Sequence, residues 1–228
     1  MERVVILLIS AHLIADFLLQ PDWMARKKPR RGILLTHGLI HGLTAYLILQ
    51  SWRCWSLPLG VALLHTIIDG VKQMTARDTA KTFALDQASH LVGLLGLGWV
   101  LTTQEWLPGF SGIGYVPIVV VAGFIATIRG AGYFTGKVVG HIKERNKLQI
   151  GGLDNGGALI GNLERALIFL LVFINQPAGI GFLVAAKSIL RFEEAKDQKM
   201  AEYVLIGTLL SFSLAIAIAS ATKWAMGR

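Results

Sequence analysis

A chain of 228 residues that is 54% hydrophobic and only 16% charged is too apolar for an ordinary soluble domain, in which about 25% of residues are charged. The apolar runs recur from end to end, and no polar stretch is long enough for a separate soluble domain. The formal net charge of +8 is explained by cationic loops on one side of a membrane, so no nucleic-acid partner is needed. We therefore expect a single membrane domain covering residues 1–228.

Eight apolar runs are long enough to be considered as membrane-spanning helices, since about 20 residues cross roughly 30 Å of hydrocarbon. The seventh run is short and contains Lys187, so it is interpreted as a span, a re-entrant segment or an interfacial segment. The predicted fold class is an all-α integral membrane protein, a polytopic helical bundle of about seven or eight transmembrane helices. In chain order the runs lie near residues 3–20, 33–50, 57–72, 83–103, 115–137, 157–175, 178–192 and 203–222.

Positively charged residues predict the orientation of these spans. Twelve Lys and Arg residues fall in the connections on one side, five of them in the run ARKKPRR at residues 25–31, and four fall on the other side. Cytoplasmic loops of membrane proteins carry the excess of Lys and Arg. We therefore predict a multi-pass protein with both termini outside the cytoplasm.

Each of the first four spans contains a pair of polar residues four positions apart, in the stretches HLIAD, HGLIH, HTIID and DQASH. This spacing places both members of a pair on one helix face, about one turn apart. When neighbouring antiparallel spans are aligned by depth, the four pairs form two layers. The layer farther from the cytoplasm contains His12, His41, His65 and His90, and the nearer layer contains Asp16, His37, Asp69 and Asp86.

These two layers predict a metal site among the first four helices. Imidazole nitrogens and carboxylate oxygens are ligands for zinc, iron and manganese, and bundle cores hold such sites on facing helices. Because one helical turn rises about 5.4 Å, side chains from both layers could hold two ions about 3.5–4 Å apart. We expect two divalent transition-metal ions, zinc first and iron or manganese as alternatives, bound by all eight residues. Two other interpretations remain. The polar pairs could form a metal-free path for protons or substrate, or they could serve helix packing alone.

Residues 1–103 are accordingly interpreted as a four-helix metal-binding half, and residues 115–222 as a carboxyl-terminal helical half. Gln20, Lys72 and Gln87 adjoin the polar pairs on the cytoplasmic side. Such neighbours orient ligands or neutralise an anionic substrate. For Lys72 the alternative is extension of its ammonium group to the lipid headgroups.

The second half contains further charges within its apolar runs. Glu164 and Arg165 lie in GNLERAL, and Lys187 and Arg191 lie four residues apart in AAKSILRFEE. The three cations could converge on a phosphate or a lipid headgroup and bind the substrate, with Glu164 beside them. The alternative is an ion pair between Glu164 and one of the cations, which would join two helices.

Seven stretches together resemble a bacterial membrane-protein family catalogued as domain of unknown function 3307. These stretches are HLIADFLLQPD, HGLIHGL, LLHTIIDGVK, DQASHL, GNLERAL, AAKSILRFEE and AEYVLIGTLLSF, and they cover nearly the whole chain in order. The His and Asp pattern is also loosely similar to small bacterial inner-membrane proteins described as metal-dependent hydrolases. The resemblance implies a location in the bacterial inner membrane and raises the expectation of hydrolysis, but it implies no catalytic residue.

The function predicted from the sequence is metal-dependent hydrolysis of a lipid or lipid-linked phosphate from the cytoplasmic leaflet. The partners expected are the lipid bilayer and an anionic lipid substrate. The first alternative is a metal- or proton-coupled transporter that uses the same His/Asp cluster. A di-iron-type membrane oxygenase and a non-catalytic, metal-sensing partner protein are further alternatives, because ligands alone do not identify the metal or the reaction.

Overall fold

In the computed structural model of the chain, helices joined by short turns and loops make up the residues that it describes, and no β-strand occurs among them. This confirms the prediction of an all-α protein. The described residues are 1–28, 30–74, 78–107, 114–149, 153, 155–190 and 198–228. The helices are α1 (Glu2–Phe17), α2 (Asp22–Lys27), α3 (Arg31–Leu49), α4 (Ser56–Gln73), α5 (Ala80–Thr103), α6 (Tyr115–Ile125), a π-helical turn (Ala126–Gly130), α7 (Ala131–Asn146), α8 (Gly156–Phe173), α9 (Ala178–Leu190) and α10 (Gln198–Met226).

Among the described residues, five helical segments are long and apolar enough to cross a membrane, as expected of a multi-pass membrane protein. The helices α1, α4 and α9 coincide with the other three predicted spans. Of these, α1 and α9 are shorter, with 16 and 13 residues, and α4 carries three ionisable residues along its length. A total of seven or eight spans therefore stays a prediction. The five segments are Arg31–Leu49, Ala80–Thr103, Tyr115–Asn146, Gly156–Phe173 and Gln198–Met226.

The chain divides into two compact units, and the first contains Met1–Ile125 together with Trp224–Arg228. In this unit α1 packs against α3, α5 and α6, while α4 packs against α3 and α5. Their apolar faces form a buried core. Its members include Val4, Leu7, Leu8, Leu49, Leu57, Val61, Leu94 and Leu101.

Two glycines allow α3 to approach α4 closely. A Cβ atom added at Gly38 would overlap the hydroxyl oxygen of Thr66, and one added at Gly42 would overlap the carbonyl oxygen of Pro58. Small residues permit this kind of helix contact in membrane proteins. Because Gly38 and Gly42 directly follow His37 and His41, the contact brings both histidines against α4.

The second unit contains Ala126–Lys223. Here α8 packs against the π-helical turn, α7 and α9. A buried apolar cluster of Ile168, Phe212 and Ala215 joins α8 and α10, with α9 residues packed against it. The division between the units falls after Ile125, inside one continuous helix, whereas the sequence pattern placed a boundary in the connection at residues 104–114.

Candidate metal centre

Polar side chains from four helices of the first unit converge in its interior. Each helix supplies the pair that the sequence pattern predicted, because residues four positions apart share one helix face. Seven of the eight side chains belong to buried residues, and the side chain of Asp16 retains 9% exposure. The pairs are His12 and Asp16 from α1, His37 and His41 from α3, His65 and Asp69 from α4, and Asp86 and His90 from α5.

Three imidazoles surround one carboxylate oxygen at the centre of this cluster. The distances from Asp16 Oδ1 to the Nε2 atoms of His37, His41 and His65 are 3.1, 3.3 and 3.8 Å. The ligand atoms of these four residues, here named the Asp16 group, lie within 4.8 Å of one another. A tetrahedral ion with ligands at about 2.0–2.1 Å needs ligand atoms about 3.3–3.4 Å apart. The Asp16 group therefore fits a zinc-like divalent ion with small side-chain adjustments.

A second set of possible ligands adjoins the first. The ligand atoms of His65, Asp69 and His90, here named the His90 group, also lie within 4.8 Å of one another. Within it, His65 Nε2 is 3.2 Å from Asp69 Oδ2. His65 belongs to both groups and presents the same nitrogen to each. If this nitrogen binds an ion in the Asp16 group, the His90 group retains two protein ligands and open coordination positions.

The imidazole of His90 is oriented as a metal ligand would be. Its Nδ1 lies 2.9 Å from the carbonyl oxygen of Asp86, one turn earlier on α5. Because a carbonyl oxygen only accepts hydrogen bonds, Nδ1 carries the proton and Nε2 presents a lone pair. This Nε2 is buried and has no hydrogen-bond partner among the described residues. A ring held by Nδ1–H on a backbone carbonyl is the usual arrangement of metal-binding histidines.

The predicted neighbour Gln87 connects two of the paired residues. Its Nε2 donates a hydrogen bond to Asp16 Oδ2 at 3.0 Å, and its Oε1 lies 3.3 Å from His12 Nε2. Gln87 therefore fixes the carboxylate of Asp16 and the ring of His12 together. His12 itself lies outside both groups of possible ligands that the described residues form. Gln20, the other predicted amide neighbour, has a buried Nε2 that finds no partner in the described part of the chain.

Two lysines contact the carboxylates at the edge of the cluster. Lys72 Nζ donates a hydrogen bond to Asp86 Oδ2 at 2.6 Å, so this lysine pairs within the bundle. Lys28 Nζ lies 2.5 Å from Asp69 Oδ2. Sequence reasoning did not single out Lys28, since it is one of several cations in ARKKPRR. Lys28 is the cation that reaches Asp69 because it directly follows α2, a short helix in a stretch that the sequence analysis interpreted as a connection.

The predicted cations of the carboxyl-terminal half make different contacts in the second unit. Lys187 Nζ donates to Glu164 Oε2 at 2.7 Å, which is the helix-joining ion pair considered as the alternative. Arg165 is only 5% exposed. Arg191 lies outside the described residues, so the structure does not test its predicted role.

Arg165 is held by three neutral oxygen atoms. Its Nε donates to the carbonyl oxygen of Ile128 at 3.0 Å, its Nη1 to Ser211 Oγ at 2.9 Å, and its Nη2 to Asn162 Oδ1 at 2.8 Å. Ile128 belongs to the π-helical turn. These contacts fix the guanidinium between the π-helical turn, α8 and α10.

Comparison with known proteins agrees with the family resemblance. Residues 4–110 match the model of a family described as "Protein of unknown function (DUF3307)", so this segment is similar to that family. The matched segment contains α1 to α5 and therefore all eight predicted ligands. No curated protein and no solved structure shows significant similarity to the chain.

Proposed function

We propose that the first unit is a membrane-embedded, metal-dependent hydrolase that acts on a lipid or lipid-linked phosphate. The observation that supports it best is the convergence of three histidine Nε2 atoms on Asp16 Oδ1 inside a membrane protein. Each charged group at the centre of a span costs roughly 2.5–3.5 kcal/mol on insertion. A shared divalent ion would offset this cost for the whole cluster.

In this proposal the protein binds two ions. The Asp16 group holds the first with four protein ligands, and Asp69 and His90 hold the second, whose remaining positions are open for substrate. Zinc is the first candidate, with iron or manganese as alternatives, because the ligands are nitrogen and oxygen. A divalent ion bound there would supply Lewis acidity toward a phosphoryl oxygen.

Asp86 is the proposed general base. Its Oδ2 is held by Lys72, while its Oδ1 is buried and has no hydrogen-bond partner in the described ranges. Asp86 also belongs to neither group of possible metal ligands. An oriented carboxylate with one free oxygen can take the proton of an attacking water. The ammonium groups of Lys28 and Lys72 would attract the phosphate of the substrate.

The apolar core favours an enzyme over a transporter. On each of the four helices the buried residues on one side of the His/Asp cluster are mostly hydrophobic, while the lysines lie on the other side. The buried hydroxyl groups of Ser10 and Thr44 on the hydrophobic side donate to carbonyl oxygens of their own helices. A transport path across the membrane needs polar groups on both sides of its binding site. The core residues that close the path are Leu7, Leu8, Leu49, Leu57, Val61, Leu94 and Leu101.

Hydrolysis can be tested with the full-length protein in nanodiscs containing phosphatidic acid or a polyprenyl diphosphate. We expect metal-dependent release of inorganic phosphate. Asp86→Asn should lower kcat about 10²–10⁴-fold, because it removes a proton acceptor, and should leave the metal content unchanged. The exposed residue Glu105 provides the control, since Glu105→Gln should behave as wild type. Absence of metal-dependent phosphate release, or full activity of Asp86→Asn, would refute the assignment.

We further propose that the lysine-bearing side of the first unit faces the cytoplasm of a bacterial inner membrane, with both termini outside. The test uses a Cys54→Ser background, which removes the one native cysteine, and single cysteines introduced as Lys27→Cys and Glu2→Cys. A membrane-impermeant maleimide applied to cells with a permeabilised outer membrane should label Glu2→Cys but not Lys27→Cys. The reverse labelling pattern would overturn this orientation.

A further inference from the structure

The second unit contains a cavity of about 780 Å³, lined by the π-helical turn, α7, α8, α9 and α10. Small-molecule sites in proteins typically occupy about 300–1,000 Å³. Glycines help to keep this cavity open. A Cβ atom added at Gly136 or Gly157, both in its wall, would have no atom within 4 Å in the described part of the chain apart from its chain neighbours and the backbone of its own helix. The space is therefore large enough to admit a headgroup-sized ligand.

The wall of the cavity carries an excess of positive charge. Of the residues that the structure describes, four cations and one carboxylate line it: Arg129, Lys137, Arg165, Lys187 and Glu164. The carboxylate is already paired with Lys187 at 2.7 Å. The three hydrogen bonds of the buried Arg165 go to neutral oxygens, which do not compensate its charge. An excess of cations over carboxylates beside lipid is costly, so the cavity favours an anionic occupant.

Arg165 is fixed before any ligand binds. A Cβ atom at Gly132 would lie 2.7 Å from its Nη2, and one at Gly161 would lie 3.0 Å from its Nη1, so both glycines are in close contact with the guanidinium. The carbonyl that holds its Nε comes from a π-helical turn, a feature that is frequent at functional sites. A guanidinium with five donors that is held by three bonds retains donors for a ligand.

Thr135 provides a second polar group in the wall. Thr135 is only 8% exposed, and its Oγ1 is buried without a hydrogen-bond partner in the part of the chain that the structure describes. Other helical threonines, such as Thr44 and Thr66, donate to the carbonyl oxygen four residues earlier. A buried hydroxyl without a partner costs free energy that a ligand oxygen would recover.

We propose that this cavity binds the phosphate group of an anionic lipid. Its apolar wall residues, among them Ile160 and Val204, lie beside the cations, as an amphiphile requires. The helices α8 and α10 that line it are long and apolar enough to span the membrane, so lipid is the nearest source of such a ligand. The inference concerns the second unit alone and does not depend on metal-dependent hydrolysis.

A cavity-filling substitution tests the proposal with the full-length protein in detergent. The probes are dihexanoyl phosphatidic acid, zwitterionic dihexanoyl phosphatidylcholine and inorganic phosphate. Gly136→Leu should weaken the binding of phosphatidic acid at least about tenfold, because the side chain would occupy the cavity. Gly140→Leu on the same helix is the matched control, since its Cβ also meets open space but Gly140 is not in the cavity wall. Neither change should lower the thermal midpoint, because leucine favours helix over glycine.

A charge substitution provides the second readout. Neutralising Arg129 and Lys137 to Gln should weaken phosphatidic acid binding about tenfold or more, whereas the same change at the exposed Lys143 and Arg145 of α7 should not. Parallel binding of inorganic phosphate would show that the phosphate suffices, and its absence would show that the lipid chains are also needed. Both results support the site.

Equal binding of phosphatidylcholine, or unchanged binding of phosphatidic acid to Gly136→Leu, would overturn the proposal. Metal content is measured in the same samples and should equal that of the wild type in every variant. A failure of the lipid site is thereby distinguished from a failure of the metal centre.

Discussion

Replacing Asp16 by alanine will remove the ion of the Asp16 group, and with it about half of the transition metal, from the purified protein. Its Oδ1 lies within 3.8 Å of three histidine Nε2 atoms, so its loss takes away the carboxylate on which His37, His41 and His65 converge. The reduction in affinity should exceed the roughly 10–100-fold effect of removing an outer hydrogen-bond partner of a metal site. Elemental analysis of protein purified without chelator measures the result, and the wild type should contain close to two ions per chain.

The two groups of possible ligands predict the ion counts of two histidine variants. His65→Ala removes one of the four ligands of the first ion and leaves Asp69 and His90 for the second, so the count should fall from two toward one ion per chain. His90→Ala affects the His90 group alone and should leave about one ion. The exposed His141 of α7 provides the control, because His141→Ala removes an imidazole outside the cluster.

Loss of metal through unfolding must be separated from loss of a ligand. Asp16→Asn retains the size of the side chain and one acceptor oxygen but lacks the charge, so the bundle should stay helical by circular dichroism while the metal content falls. A wild-type protein with almost no metal would show that the His/Asp cluster serves another purpose. Equal counts for His65→Ala and the wild type would show that the ligands have been assigned incorrectly.

The pairing of polar residues could be predicted from the sequence because spacing fixes helix faces. Residues four positions apart lie on one face whatever the tertiary structure, and the alignment by depth brought the four pairs to one level. The rotation of each helix could not be predicted in this way. The rotation of each helix about its axis places Asp16 against three histidines and Asp86 against Lys72.

Contacts between elements explain the features that the sequence analysis missed. Lys28 reaches Asp69 only because α2 turns the chain back toward the bundle, and a run of cations does not show which member will do so. The histidines of the stretch HGLIHGL were predicted to be ligands, but no role was predicted for its glycines, which allow α3 to contact α4. The position of Arg165 depends on a π-helical turn 37 residues earlier, for which the sequence gives no recognisable signal.

The largest change in stability is expected from Lys187→Met in the second unit. The side chains of Lys187 and Glu164 are only 18% and 15% exposed, and their charged atoms lie 2.7 Å apart. Removal of the ammonium group leaves a largely buried carboxylate without its partner, which costs on the order of 3 kcal/mol. The thermal midpoint of the detergent-solubilised protein should fall sharply. Lys143→Met, an exposed position on α7, should leave it unchanged.

Adding Glu164→Gln to Lys187→Met decides whether Lys187 holds the two helices together or binds the lipid headgroup. If the pair is structural, the second change removes the unpaired carboxylate and should restore most of the thermal midpoint. The double variant also keeps the net charge of the cavity, because one cation and one anion are lost together, so phosphatidic acid should bind as to the wild type. A double variant that is stable but no longer binds phosphatidic acid would instead make Lys187 a ligand of the phosphate, as the sequence pattern suggested.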